Sequence, residues 1–275
     1  LGVKEPDFNL LKSLVDSSFK LRSIEEENTD TSVNNNTTDD STIITPKNNT
    51  NTKTQTTQTS NSLVERRVRE EYGTMFLAKD VTLPKKLPLN KGELEAFQAG
   101  LTTERITING KTITLQAPAA KALREAMKEI SFTVRGTYPG LRTYEETVVN
   151  WRGQVAEGLK NPRLSKADAD RIRSLSNNID KQVEEVLKLE AKGILFGKGF
   201  GKSILQSVAA PGSSQHNFGL AIDVVQFDNP NVQRILAKHG FFRTITNDAP
   251  HFTYLGVTDP KTLGLVNRGG FWVKP

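Results

Sequence analysis

The stretch Ser213-Ser214-Gln215-His216-Asn217-Phe218-Gly219-Leu220-Ala221-Ile222-Asp223-Val224-Val225 gathers a histidine, a glycine and an aspartate around an apolar run. Leu220 to Val225 is hydrophobic and β-prone, which predicts a buried strand with Asp223 in its middle. Side chains two residues apart share a strand face, so Ala221 and Asp223 look the same way, and the small Ala leaves room for an ion beside the carboxylate. Gly219 permits a bend that lets His216 reach back over that space. A lone carboxylate in a core strand is strongly destabilising, so Asp223 requires a cation or a dense set of donors.

A second stretch, Asn247-Asp248-Ala249-Pro250-His251-Phe252-Thr253-Tyr254-Leu255-Gly256, opens an aromatic-rich strand on a histidine, with a carboxylate three positions earlier. Two histidines and an aspartate are a ligand set that holds a single zinc ion and leaves one position open for water. Asp248 is then the free carboxylate beside that water, able to accept its proton and return it to a leaving amine. Asp248 also reads as a plain turn residue between Asn247 and Pro250. His239, in Ala237-Lys238-His239-Gly240, reads as a surface residue at a helix end with Gly240 as C-cap.

Composition narrows the chemistry. The 275 residues contain no cysteine and only three histidines, which excludes disulfides, thiolate metal sites and a cysteine nucleophile. The chain opens on Leu1 rather than Met, so it reads as processed or trimmed, and whether a signal or anchor was removed is not readable from it. No apolar run approaches the roughly 18 residues of a membrane span. Residues 1–62 carry six basic against nine acidic side chains, and the remainder 31 against 22, so the body is basic at net +9 and the tail is not. A basic body suits an anionic partner such as nucleic acid or cell-wall polymer. No nucleic-acid motif accompanies it, and no nucleic-acid partner is expected.

Residues 28–62 are nearly all Asn, Thr, Ser, Asp, Gln and Lys, which predicts a disordered linker; two Asn-Asn-Thr triplets within it are chance matches to a glycan acceptor. Residues 1–27 include Phe8, Leu11, Leu14, Val15 and Phe19 at helical spacing. They predict a short amphipathic helix or tail that docks on the body, tethers the chain or binds an unknown partner. Residues 63–275 are then one domain. Within it Leu63 to Tyr72 reads as a charged helix, and Ile106 to Leu115 as a hairpin around Asn109-Gly110. Pro118 to about Ile130 reads as a helix, Ser131 to Arg135 as a strand, and the region after Ser165 as one longer helical stretch whose apolar stripe includes Ile172, Leu175, Ile179, Val183, Val186 and Leu187. Gly193, Gly197, Gly199 and Gly201 lack dinucleotide-binding spacing and mark a loop.

The pattern Ser-x-His-x-x-Gly-x-Ala-x-Asp, followed some thirty residues later by acid-x-x-His, resembles the zinc D-alanyl-D-alanine carboxypeptidases and vancomycin-resistance dipeptidases, whose fold is shared with hedgehog domains. Ser214, His216, Gly219, Ala221, Asp223 and His251 match it. The resemblance implies that His216, Asp223 and His251 hold zinc and that Asp248 is the general base, in a place usually taken by Glu. Gly140-Leu141-Arg142-Thr143 resembles the family's Gly-x-Arg-Ser/Thr turn, which implies that Arg142 binds the substrate carboxylate or the oxyanion. The glutamine often found four or five residues on is replaced by Glu146 and Thr147. Ser214 orients substrate or merely stabilises its turn.

These readings predict an α+β fold, a small antiparallel sheet carrying a zinc site with helices around it. The implied function is a zinc-dependent peptidase hydrolysing peptidoglycan stem peptides next to D-alanine. An L-alanyl-D-glutamate endopeptidase of the lysin kind and a non-catalytic zinc-stabilised binding module stay open. The implied location is outside the cytoplasm, in periplasm, cell wall or medium; a phage-associated or injected enzyme meets the same requirement.

Overall fold

The computed structural model describes residues 54–263 and Val273, with side chains described from Leu63 onward. The predicted helix over Phe8–Phe19, residues 28–53 and both Asn-Asn-Thr triplets lie outside the described residues. Helix α1 (Thr54–Tyr72) begins inside the tract read as linker. It buries Val64, Val68 and Tyr72 and runs into a 3-10 turn at Gly73–Leu77. Helix α2 (Lys91–Ala99) follows, capped by Asn90, whose side chain accepts the Glu93 N–H.

Strands β1 (Thr103–Ile108) and β2 (Lys111–Gln116) form the predicted hairpin. Asn109 and Gly110 both take positive φ, 46° and 81°, as a type I′ turn demands. Helix α3 (Ala117–Glu129) has a proline in its first turn and buries Ala119, Ala120, Leu123 and Ala126. The strand expected at Ser131–Arg135 shrinks to a single bridge, Val134 opposite Val224, because the chain turns away at Gly136 with φ 83°.

Helix α4 (Tyr144–Gly158) was not predicted, although its start carries a capping box. Thr143 accepts from the Glu146 N–H while the Glu146 carboxylate accepts from the Thr143 N–H. The long helical stretch after Ser165 is two helices, α5 (Lys166–Ser174) and α6 (Ile179–Ala191). The break falls at Asn178, whose side chain accepts the Lys181 N–H and starts the second helix. After a glycine-rich loop come β3 (Ala221–Asp223), α7 (Pro230–Lys238), β4 (Phe241–Phe242) and β5 (His251–Tyr254).

The fold is α+β, with seven helices among the described residues, the hairpin, and an antiparallel sheet of order β3-β5-β4. Its apolar side chains form two main cores. One is helical, built on Trp151, Val186 and Phe196; the other joins the hairpin, α3, α7 and the three-stranded sheet. The chain between Phe218 and Val224 passes from the first core, at Phe218 and Leu220, to the second, at Ile222 and Val224. A small third cluster surrounds Phe242 and Leu255.

Candidate metal centre

Sheet register brings the first two candidate ligands together. Asp223 on β3 is the cross-strand partner of His251 on β5, with Ala221 opposite Thr253. Asp223 therefore ends its strand rather than sitting mid-strand, and its neighbour across the ladder is the second histidine. Directly opposed residues lie about 5 Å apart, so the pairing alone places imidazole beside carboxylate. His251 Nδ1 is 3.3 Å from Asp223 Oδ1.

His216 arrives from the other core on a tight turn. The Asn217, Phe218 and Gly219 N–H groups bond to the carbonyls of Ser214, Gln215 and His216, and Gly219 takes φ 66°. A Cβ at Gly219 would stand 3.2 Å from the Gln116 nitrogen. The predicted bend is therefore required by both dihedral and packing. The His216 ring lies edge to face with His251, centroids 4.9 Å apart, and its Nε2 is 3.4 Å from Asp223 Oδ2.

Gly140 fixes the ring's tautomer. Its carbonyl lies 2.9 Å from His216 Nδ1, which must donate to it. Nε2 then keeps its lone pair and faces inward, the arrangement in which a backbone acceptor orients a metal-binding imidazole. Gly140 can approach only because it has no side chain: a Cβ would meet Thr114 O at 2.8 Å and Ile113 Cβ at 2.9 Å.

Donor chemistry and burial fit a divalent cation. His216, Asp223 and His251 each offer one ligand atom, all within 4.8 Å of one another. His216 and His251 are 1% and 3% exposed, and the Nε2 atom of each is buried without a hydrogen-bond partner. Buried polar atoms in native proteins are rarely left so. His216 Nε2 faces Asp223 Oδ2, while His251 turns Nδ1 toward Asp223 Oδ1, so the donors that converge are His216 Nε2, the Asp223 carboxylate and His251 Nδ1, a set that suits a divalent cation. Burial, with help from the Arg142 charge, lowers the His216 pKa from 6.5 to about 4 despite the nearby Asp223, so the ring is neutral at physiological pH. Burial works against the Asp223 charge, but the two histidines outweigh it and hold the carboxyl well below the usual carboxylate range.

Arg142 is locked at the rim. Its Nη2 donates to Asp223 Oδ2 at 2.6 Å and its Nε to Tyr138 O at 2.7 Å. The backbone behind it is clasped to the His216 turn: Arg142 N–H bonds to His216 O, and the amides of Gln98 and Asn217 both donate to Arg142 O. Ser214 Oγ accepts the His216 N–H at 3.2 Å, which gives the turn-stabilising reading an observed bond.

These residues open on a cleft that Asp248, Ser214 and Arg142 also line, together with Thr147 and Asn150 of α4 and the segment Leu205–Ala209. Among the described residues the Asp248 side chain makes no hydrogen bond, while its carbonyl accepts the His251 N–H at 3.1 Å. Tyr72 of α1 reaches the cleft floor, its hydroxyl donating to Leu205 O. Burial, followed by the carboxylates of Glu71 and Asp248, pushes its pKa well up. The wall it supports is held from behind by buried Glu190, which accepts the N–H groups of Phe196 and Ile204 and the Ser203 hydroxyl. Tyr72, Thr147, Asn150 and Gln215 are cleft residues the sequence reading did not single out. Each lies at a position where no local pattern distinguishes a wall residue from core. His239 ends α7 as expected, with Gly240 at φ 83° and its ring 2.6 Å from Glu129.

Fold and site together define an α+β domain whose cleft ends in a His, Asp, His centre. Residues 113–257 match the VanY family of D-alanyl-D-alanine carboxypeptidases, and the chain belongs to that family. No curated protein and no solved structure gave a significant match. The match spans Arg142, both stretches that carry the centre, and Asp248, whereas Tyr72 lies outside it. Among the described residues no helix is long and apolar enough to cross a membrane.

Proposed function

We propose that this chain is a zinc-dependent peptidase that hydrolyses peptidoglycan stem peptides next to D-alanine, with His216, Asp223 and His251 holding one ion. The observation that carries this reading is the convergence on Asp223 of His216 Nε2, buried and without a hydrogen-bond partner, and of His251 Nδ1, lining a cleft that also presents the Asp248 carboxylate. Zinc held there supplies a Lewis acid and lowers the pKa of water. Asp248 accepts the proton of the attacking water on a carboxylate oxygen and delivers it to the leaving amine. Arg142 orients Asp223 through Nη2, and its charge at the cleft rim favours the carbonyl oxygen on which negative charge develops. Ser214 holds the His216 turn in register and borders the substrate. The substrate lies outside the cytoplasmic membrane, so the proposed location is periplasm, cell wall or medium, with phage-borne delivery as an equivalent route.

One observation favours an internal cut on the same scaffold. Arg142 is the one cationic side chain among the described cleft residues, and it is committed to Asp223 and Tyr138 O. A free terminal carboxylate would need that charge, whereas an internal peptide bond would not. Digestion of defined muropeptides with mass analysis decides: release of terminal D-alanine supports the carboxypeptidase, and cleavage within the stem supports the endopeptidase. Full activity after thorough chelation sinks the zinc reading in either form. No cleavage of any muropeptide by the zinc-loaded chain leaves the binding module.

A further inference from the structure

We infer that Gln215 is a substrate-positioning residue whose side-chain amide donates a hydrogen bond to a main-chain carbonyl oxygen of the bound peptide; this rests on the peptidase reading above. Gln215 lies between Ser214 and His216, is 1% exposed, and lines the cleft. Its Nε2 is one of three buried side-chain polar atoms without a hydrogen-bond partner among the described residues; the other two are the imidazole nitrogens of the candidate centre. Its backbone carbonyl accepts the N–H groups of Phe218 and Leu220 at 3.2 and 3.1 Å, which fixes the main chain from which the side chain projects.

Chemistry narrows what the amide meets. An amide nitrogen has no lone pair to give a cation, so Nε2 is not a fourth metal ligand; it can only donate. A neutral donor in a cleft that the carboxylates Asp223 and Asp248 also line, with Arg142 already paired, offers no compensation for an anionic ligand and matches a neutral acceptor. Next to the reacting centre of a peptidase, that acceptor is a peptide carbonyl. An orphaned buried donor destabilises the free protein, and a substrate that satisfies it recovers that loss on binding.

A functional orphan and a structural amide respond oppositely to Gln215→Met, which keeps the volume and removes the donor. The zinc-loaded full chain carrying Asp248→Ala serves as parent, so that a soluble stem pentapeptide ending in D-Ala-D-Ala binds without turnover. The expected result is an affinity about tenfold weaker, measured by calorimetry, with a melting temperature equal to the parent's or about 2–4 °C higher. Gln215→Glu, which turns the donor into a like-charged acceptor, weakens binding further. Unchanged affinity in Gln215→Met, or a lower melting temperature, overturns the inference. A parent that does not bind the pentapeptide at all overturns the substrate reading and this inference with it, whereas unchanged binding by the variant in a parent that does bind removes this inference alone.

Discussion

Asp223 is contacted by three nitrogen-bearing side chains, those of Arg142, His216 and His251. Arg142 neutralises Oδ2 at 2.6 Å, while burial keeps His216 neutral and its inward nitrogen basic. A neutral imidazole buried on folding has a definite pH signature. Its folded pKa, about 4, lies below the ordinary 6.5, so in that window the unfolded chain binds the extra proton. The resulting stability is complete above about pH 6.5 and is lost as pH falls through about 4. Metal-free protein should therefore show a falling urea midpoint across that window, and His216→Gln should flatten the profile there. Asp248 differs because nothing in the described structure holds its carboxylate, which leaves it available for proton transfer. Replacing it with Ala should lower kcat about 10²–10⁴-fold in a muropeptide assay while zinc stoichiometry stays at the wild-type value. Loss of the metal together with activity would instead make Asp248 part of the ligand set.

Glycine positions decide whether the elements can meet at all. Gly140 lets the Arg142 turn lie against β2, and its carbonyl sets the tautomer of His216. Gly140→Ala should destabilise the protein by about 1–3 kcal/mol through the clash with Thr114 and Ile113. Because the carbonyl shifts, zinc affinity should drop about 10–100-fold as well, measured by competition with a chromophoric chelator. Gly153 is the control: it lies inside α4 with open space where a Cβ would go, and Gly153→Ala should leave zinc binding alone and add up to about 1 kcal/mol. The hairpin, α3 and the centre's two halves were legible in the sequence because each has a local signature, Asn-Gly, a proline-led helix, or histidine and aspartate in fixed spacing. Helix α4 escaped because Glu146 and Thr147 were weighed as departures from a motif, when Glu146 completes a cap and Thr147 faces the cleft. Gln215 escaped for a different reason. Its importance lies in having no partner, and only the packed structure shows which polar groups go unpaired.

Across the whole molecule the candidate ligands come from different cores. His216 sits on the turn that leads out of the helical core, anchored by Phe218 and Leu220, while Asp223 and His251 belong to the sheet backed by Ile222 and Phe252. An ion held by all three would cross-link the cores at their seam. Zinc should then act on global stability rather than on the cleft alone. With free zinc at about 100 times Kd, mass action contributes about 2.7 kcal/mol. For a domain of this size that corresponds to a melting temperature higher by about 5–10 °C. Calorimetry of the stripped chain titrated with zinc should show that rise as one cooperative transition, because both cores share the ligand. His251→Ala should abolish the response, whereas His239→Ala, at the end of α7 on Glu129, should keep it. A wild-type melting temperature indifferent to zinc would mean that the two imidazoles and Asp223 converge for some purpose other than binding the ion.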